Sequence, residues 1–206
     1  MLGLNKKELR ILKSLDTPKK IQDFLNKIPI NFEKDGETCF SPRGVLKNNK
    51  AHCMEGALFA AAALRVNGEK PLVVDLLAND SDDDHVICVF ERNGKWGAIG
   101  KTNHAVLRYR EPIYKNIREL VMSFFHEYFD DKGRKNLRSY SLPVDLSRFD
   151  YLNWAASEED IWFVHDYLDK IKHFPILEKS QIRRLRKADK IEIDAGKLVE
   201  WKSWKK

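Results

Sequence analysis

Apolar positions recur at helical spacing near the start of the chain and as short strand-like runs in its middle. Leu9, Leu12 and Leu15 predict a helix over Lys6 to Leu15. Asp16-Thr17-Pro18 then reads as a stop and a restart. Thr17 is a good N-cap, Pro18 suits the first helical position, and Ile21, Phe24, Leu25 and Ile28 form an apolar stripe that ends at Pro29. From Asn31 to Asn49 the pattern breaks up around Gly36, Pro42, Gly44 and Asn48-Asn49, so a loop is expected. Ala51 to Val66, rich in alanine and leucine, predicts the strongest helix, stopped by Asn67-Gly68.

Pro71 to Leu77, Val86 to Glu91 and Lys95 to Ile99 read as strands, the last two joined by Asn93-Gly94, a type I′ hairpin signal. Glu111 to Tyr128 has the pattern of an amphipathic helix, Asp130 to Gly133 of a turn, Leu137 to Leu142 of a strand, and Glu158 to Ile171 of a helix. The expected class is therefore α+β. No repeat or low-complexity linker divides the chain, so 1-206 is read as one domain, with a core at about 40-105, additions at 1-30 and 106-178, and a tail at 179-206.

Composition narrows the class. A hydrophobic share of 43% and an aromatic share of 11% place the chain among globular proteins. The start lacks an apolar run followed by a small-residue cleavage site, so no signal peptide is expected, and the apolar stretch Ala57 to Leu64 is too short to span a bilayer. Three cysteines, Cys39, Cys53 and Cys88, are odd in number and lack zinc-ligand spacing, which fits a reducing, cytoplasmic setting. The tail from Lys179 to Lys206 carries ten Lys or Arg against four Asp or Glu, the whole of the net +6. Its run Arg183 to Lys187, with Trp201 and Trp204 beyond, offers a docking surface for nucleic acid or an acidic partner. A solvated basic helix ending in a packed tail is the preferred reading.

Chemistry concentrates around Cys53. It falls at the start of the strongest predicted helix, where amide dipoles lower a thiol pKa from its ordinary value of about 8.5. A nucleophilic thiol also needs an imidazole in reach and a third group to hold that ring. His85, at the mouth of the second strand and beside Asp80, Asp82, Asp83 and Asp84, suits the role of base.

These residues are similar to the transglutaminase-like superfamily of cysteine proteases, amidases and acyl transferases. The resemblance runs through Ser41-Pro42-Arg43-Gly44-Val45-Leu46, Ala51-His52-Cys53-Met54-Glu55-Gly56-Ala57 and Ala60 to Gly68, then Asp84-His85-Val86 and Gly94-Lys95-Trp96-Gly97-Ala98-Ile99. The span that encloses these segments, 41–99, is roughly a third of the chain. In that family a cysteine opens the helix, Leu-Arg-x-x-Gly closes it, His-Val begins a strand, and a Gly-x-Trp hairpin leads to the third catalytic residue.

The resemblance implies a diverged member with a papain/transglutaminase-like core: a nucleophile-bearing helix on a small antiparallel sheet, with N- and C-terminal helical additions. It implies a cysteine-dependent hydrolase or acyl transferase acting on an amide or ester of a peptide, protein or small amide. Cys53 would be its nucleophile and His85 its base, with no cofactor or metal. The family's aspartate position, about four residues past the hairpin tryptophan, is Gly100 here. Asn103 is the candidate third member, with Thr102 and His104 as neighbouring substitutes. An asparagine carbonyl can accept an imidazole N–H but stabilises imidazolium less than a carboxylate, so a weakly active or inactive binding or scaffold protein is the alternative.

The backbone N–H of Cys53 is the expected first oxyanion donor, with Asn48 or Asn49 as a second. Cys88 reads as core, Cys39 as an unassigned thiol, and His52 as a surface residue or gate, because neighbouring side chains at a helix start diverge. The aspartate run reads as a solvated loop in preference to a calcium or magnesium loop. Tyr109 to Pro112 and Arg138 to Ser141 read as edge strands in preference to a substrate groove.

Overall fold

A computed structural model describes residues 2–202. Helix α1 (Lys6–Ser14) is capped by Asn5 and α2 (Pro18–Lys27) by Thr17, with Pro18 at its first position. Within the stretch expected to be loop, Ser41 caps a helix, α3 (Pro42–Asn48), and Asn49 closes it in the left-handed conformation at φ 50°. A Ser-Pro start signal was present there, masked by the surrounding Gly and Asn.

The long helix α4 (Cys53–Val66) begins two residues later than its apolar pattern suggests. Ala51 is held instead in a bridge to Ile30, leaving His52 as an extended N-cap. From Met54 to Leu64 every residue of α4 is buried, which explains a pattern apolar all round. Three strands follow: β1 (Leu72–Leu77), β2 (His85–Arg92) and β3 (Lys95–Ile99). They run antiparallel, with Asn93 and Gly94 both at positive φ in the β2–β3 turn, as a type I′ turn requires.

The segment read as one helix over Glu111 to Tyr128 divides. Arg110–Tyr114 is β4, paired at the sheet edge with β3, and a short α5 (Ile117–Met122) starts at the cap Asn116. Pro112 has no N–H to offer, and an edge strand tolerates that. Strand β5 (Ser139–Ser141) pairs with β1, as does β6 (Val144–Asp145), and a 3₁₀ turn covers Leu146–Leu152. Helix α6 (Trp162–Lys170) starts later than expected, after Ile161, whose backbone is not helical (φ −102°, ψ 52°) and whose N–H donates to the Cys39 carbonyl at 2.8 Å. Strand β7 (His173–Pro175) pairs with β5, giving the order β4-β3-β2-β1-β5-β7. Residues 110–114 therefore form an edge strand as expected, whereas 139–141 lie inside the sheet.

The molecule is thus mixed helix and antiparallel sheet, with an apolar layer on each face. Val73, Val86, Cys88 and Phe90 pack against α4, while Val74, Leu76, Ile87 and Val89 pack towards Leu120, Val121 and Phe124. Among the described residues the tail contains two short helices, α7 (Lys179–Ile182) and α8 (Lys190–Gly196). The basic run 183–187 is not a helix, although Leu185 packs on the second apolar layer; Trp204 lies outside the described residues. Beyond α8 the chain crosses the segment after β3, where the Ala105 N–H donates to Leu198 at 3.1 Å and the Glu200 N–H to Asn103 at 2.9 Å. Among the described residues no helix is long and apolar enough to cross a membrane.

Candidate active site

Cys53 is the first residue of α4, so its amide and that of Met54 have no intrahelical acceptor and point out of the helix end. Burial alone pushes the Cys53 thiol up. Hydrogen bonding and charge from His52 and His85 overcome that and bring it down to about 5. The other two thiols lack such neighbours: Cys39 and Cys88 are buried, and burial raises both.

His52 is a constituent of the site, not a surface residue. The expectation that adjacent side chains diverge holds inside a helix; an N-cap has extended backbone (here φ −93°, ψ −171°), and its side chain folds back over the first turn. Its Nε2 lies 3.0 Å from the Thr38 carbonyl, 3.4 Å from Glu55 Oε1 and 3.7 Å from Glu33 Oε1. Donation from Nε2 to that carbonyl leaves Nδ1 as the acceptor nitrogen of the neutral ring. Burial disfavours the charged ring, but the bond to Cys53, then the charges of Cys53 and Glu55, raise His52 to about 9.

Glu55 organises this side. It is fully buried and accepts from Thr38 Oγ1 at 2.8 Å, the Phe40 N–H at 3.0 Å, the His52 N–H at 2.9 Å and Asn31 Nδ2 at 3.2 Å. One carboxylate thereby ties the 31–40 segment onto the start of α4. A glutamate two residues after the cysteine was the sequence signal for this arrangement.

His85 opens β2 and is 6% exposed. Its Nε2 is buried and has no hydrogen-bond partner among the described residues. A Cβ built on Gly100 would stand 3.7 Å from that nitrogen. The vacant acceptor position is thus the one where the chain carries glycine.

Asn103 is not brought to His85 as an acceptor. Its Nδ2 donates to the Trp201 carbonyl at 2.9 Å and its Oδ1 accepts from the Trp201 N–H at 2.8 Å, so both ends of the amide hold the tail. The ring of His104 lies 2.8 Å from the Gly196 carbonyl, and Thr102 accepts from the His104 N–H. Residues 100 and 101 are pinned from the other side. Gln22 bonds both backbone groups of Gly100, and the buried Lys101 ammonium donates to Leu25 at 2.8 Å and Ile28 at 2.6 Å.

Neither asparagine proposed as an oxyanion donor stands at Cys53. Asn48 Nδ2 folds back on the Gly44 carbonyl at 2.9 Å, and Asn49 ends α3. The aspartate run forms a turn: Asp84 accepts from the Ala78 N–H and Asp82 from Asn136.

Cys53 borders two cavities. The larger, of about 610 Å³, has His85, Asn103, Tyr128 and Ile193 on its walls. The smaller, of about 300 Å³, is bounded by His52, the 33–39 segment, Asp75 and α6. Among the described residues no three His, Cys, Asp or Glu side chains converge as metal ligands would. The site therefore offers a thiol of low pKa, two imidazoles and free amides at a helix end, open on both sides. No family model matches this chain, and neither does any curated protein.

Proposed function

We propose that the chain is a diverged transglutaminase-like enzyme, a cysteine-dependent hydrolase or acyl transferase acting on an amide or ester. The observation that carries the reading is the position of Cys53: half-buried at the start of a buried helix, between two imidazoles and on the border of two cavities. The order of α4, then three antiparallel strands with His85 at the start of the second, supports a papain-like core.

In this reading the Cys53 thiolate attacks the carbonyl carbon, and the amides at the start of α4 bind the developing oxyanion. An imidazolium gives its proton to the departing amine or alkoxide as the bond to the carbonyl carbon breaks. Water, or an amine in the transfer reaction, then attacks the thioester, gives up its proton to the imidazole and releases Cys53. His85 is the base of this scheme, and His52 holds the thiolate as an ion pair.

A second reading, a binding or scaffold protein of the same architecture, is favoured by the unpartnered Nε2 of His85. Alkylation separates the two. As an enzyme, the protein takes up iodoacetamide at Cys53 at pH 6 at least about tenfold faster than an ordinary thiol with a pKa near 8.5, and Cys53→Ala abolishes turnover of a fluorogenic amide or ester panel. Slow alkylation, or turnover that survives Cys53→Ala, rejects the proposal.

A further inference from the structure

The smaller cavity beside Cys53 has a chemical character that the thiol chemistry does not require. Its walls carry five carboxylates, from Glu33, Glu37, Asp75, Asp84 and Asp169, against two imidazoles, His52 and His165, and no lysine or arginine, although the chain as a whole is +6; Glu33 and Asp84 each accept a backbone N–H, and Asp169 lies 3.5 Å from His165. In the larger cavity three acids are already engaged, Glu127 with Arg110 at 2.6 Å, Asp130 with Arg134 at 2.6 Å and Asp82 with Asn136 at 2.9 Å, and Lys101 and Lys197 stand on the same walls as Asp83 and Asp131.

Asp75 differs from all of these. Its side chain is 4% exposed, and its Oδ2 lies 3.0 Å from His173 Nε2. Its Oδ1 is buried with no hydrogen-bond partner among the described residues. A carboxylate oxygen buried without a donor has given up its hydration with nothing in return. Burial accordingly raises the Asp75 carboxyl, with His173 acting in the opposite sense.

A group that brings an N–H donor and a positive charge to Oδ1 relieves that cost. The rim acids Glu37 and Asp169 draw it in, and Trp162 presents an aromatic surface at the entrance. The carboxylates are spread round the walls without converging, which suits an extended organic cation better than a metal ion. A volume of about 300 Å³ accommodates one side chain.

We propose that this cavity is the specificity pocket of the site, and that it holds an ammonium or guanidinium side chain of the substrate against Asp75. The inference rests on the acyl-transfer reading and names its substrate class: a chain with a lysine- or arginine-like cation next to the bond attacked. The cation is held, not consumed. An amine among carboxylates stays protonated and has no lone pair with which to attack an acyl group, so a guanidinium should serve as well as an ammonium.

The test compares reagents at Cys53 in the full-length protein. Cationic, anionic and neutral methanethiosulfonates of matched size are reacted with Cys53, each rate divided by its rate with free cysteine. The cationic-to-anionic ratio should exceed one by about tenfold or more. Asp75→Asn should cut it about tenfold, and Asp169→Asn, on the accessible rim, roughly twofold. Asp23→Asn on α2 should leave it unchanged.

n-Butylguanidine should protect Cys53 from iodoacetamide where n-pentanol does not. If Asp75→Asn fails to fold, Asp169→Asn and Glu37→Gln carry the comparison. A ratio indifferent to Asp169→Asn and Glu37→Gln overturns the pocket assignment, as does protection by n-butylamine but not by n-butylguanidine. Neither result touches the nucleophile. Slow reaction of Cys53 with neutral iodoacetamide would overturn the enzyme reading instead, so the two failures are distinct.

Discussion

Two imidazoles flank one sulfur, and the chain supports them very differently. His52 is held at Nε2 by the Thr38 carbonyl, with Glu33 and Glu55 close behind. His85 is more deeply buried, but its Nε2 has no hydrogen-bond partner among the described residues and faces a glycine. A ring with a fixed acceptor on one nitrogen has a defined tautomer and orientation; one without does not. The low pKa of Cys53 therefore draws on a well-supported ion pair with His52 and on a second ring whose supporting position is vacant.

The largest effect should come from removing the support itself. Glu55→Ala leaves Thr38, Asn31 and two backbone amides without their acceptor in a buried place, and should cost about 3–5 kcal/mol of stability. Denaturant unfolding measures this, and a loss below about 1 kcal/mol would show that the network is dispensable.

Next in size is the contrast between the two rings, read from the pH profile of Cys53 alkylation. A thiol lowered to about 5 loses its proton as pH rises through that value, and an imidazole raised to about 9 keeps its charge until that value is passed. The wild-type rate should climb near pH 5 and stay level to about pH 9. His52→Ala should move the climb towards the ordinary thiol range near 8.5, slowing alkylation at pH 6 about tenfold or more, tempered by the greater nucleophilicity of a more basic thiolate. His85→Ala should shift it less. An equal or larger shift for His85→Ala would reverse the ranking of the two rings.

Gly100→Asp sharpens the comparison by filling the vacancy. Its Cβ would sit 3.7 Å from His85 Nε2 and 3.2 Å from the Leu107 carbonyl, so that carbonyl must yield by a few tenths of an ångström. The carboxylate should then orient His85 and raise turnover about tenfold. A folded variant with unchanged turnover would show that His85 does not act as base.

The smallest effect belongs to Asn103→Ala. It breaks two bonds to Trp201 and should loosen the tail by about 1–2 kcal/mol in hydrogen exchange while changing Cys53 alkylation less than about twofold. A large slowing of alkylation would return Asn103 to the catalytic group.

Much of the architecture was legible because local signals agreed with it. Thr17-Pro18, Asn67-Gly68 and Asn93-Gly94 are start, stop and turn chemistry that acts over a few residues, and they bound the elements they suggest. Cys53 and His85, singled out for their order and spacing, border the same cavity. Arg110–Tyr114 was legible in two ways, as an edge strand and as the start of a helix, and pairing with β3 across the sheet edge, a contact that periodicity does not record, decided for the strand. His52 was hidden by its very adjacency to Cys53, since only the extended N-cap backbone turns its ring back over the helix start.

The sequence by itself determined the α+β alternation and the long helix that carries Cys53 near its start. Those features follow from side-chain type and from spacing of a few residues. Only the tertiary structure decided that Asn103 serves the tail, that Glu55 anchors the 31–40 segment, and that acids from Glu33 to Asp169 gather in one cavity. Each depends on groups brought together from distant parts of the chain, and the energy of a buried polar group depends on what finally surrounds it.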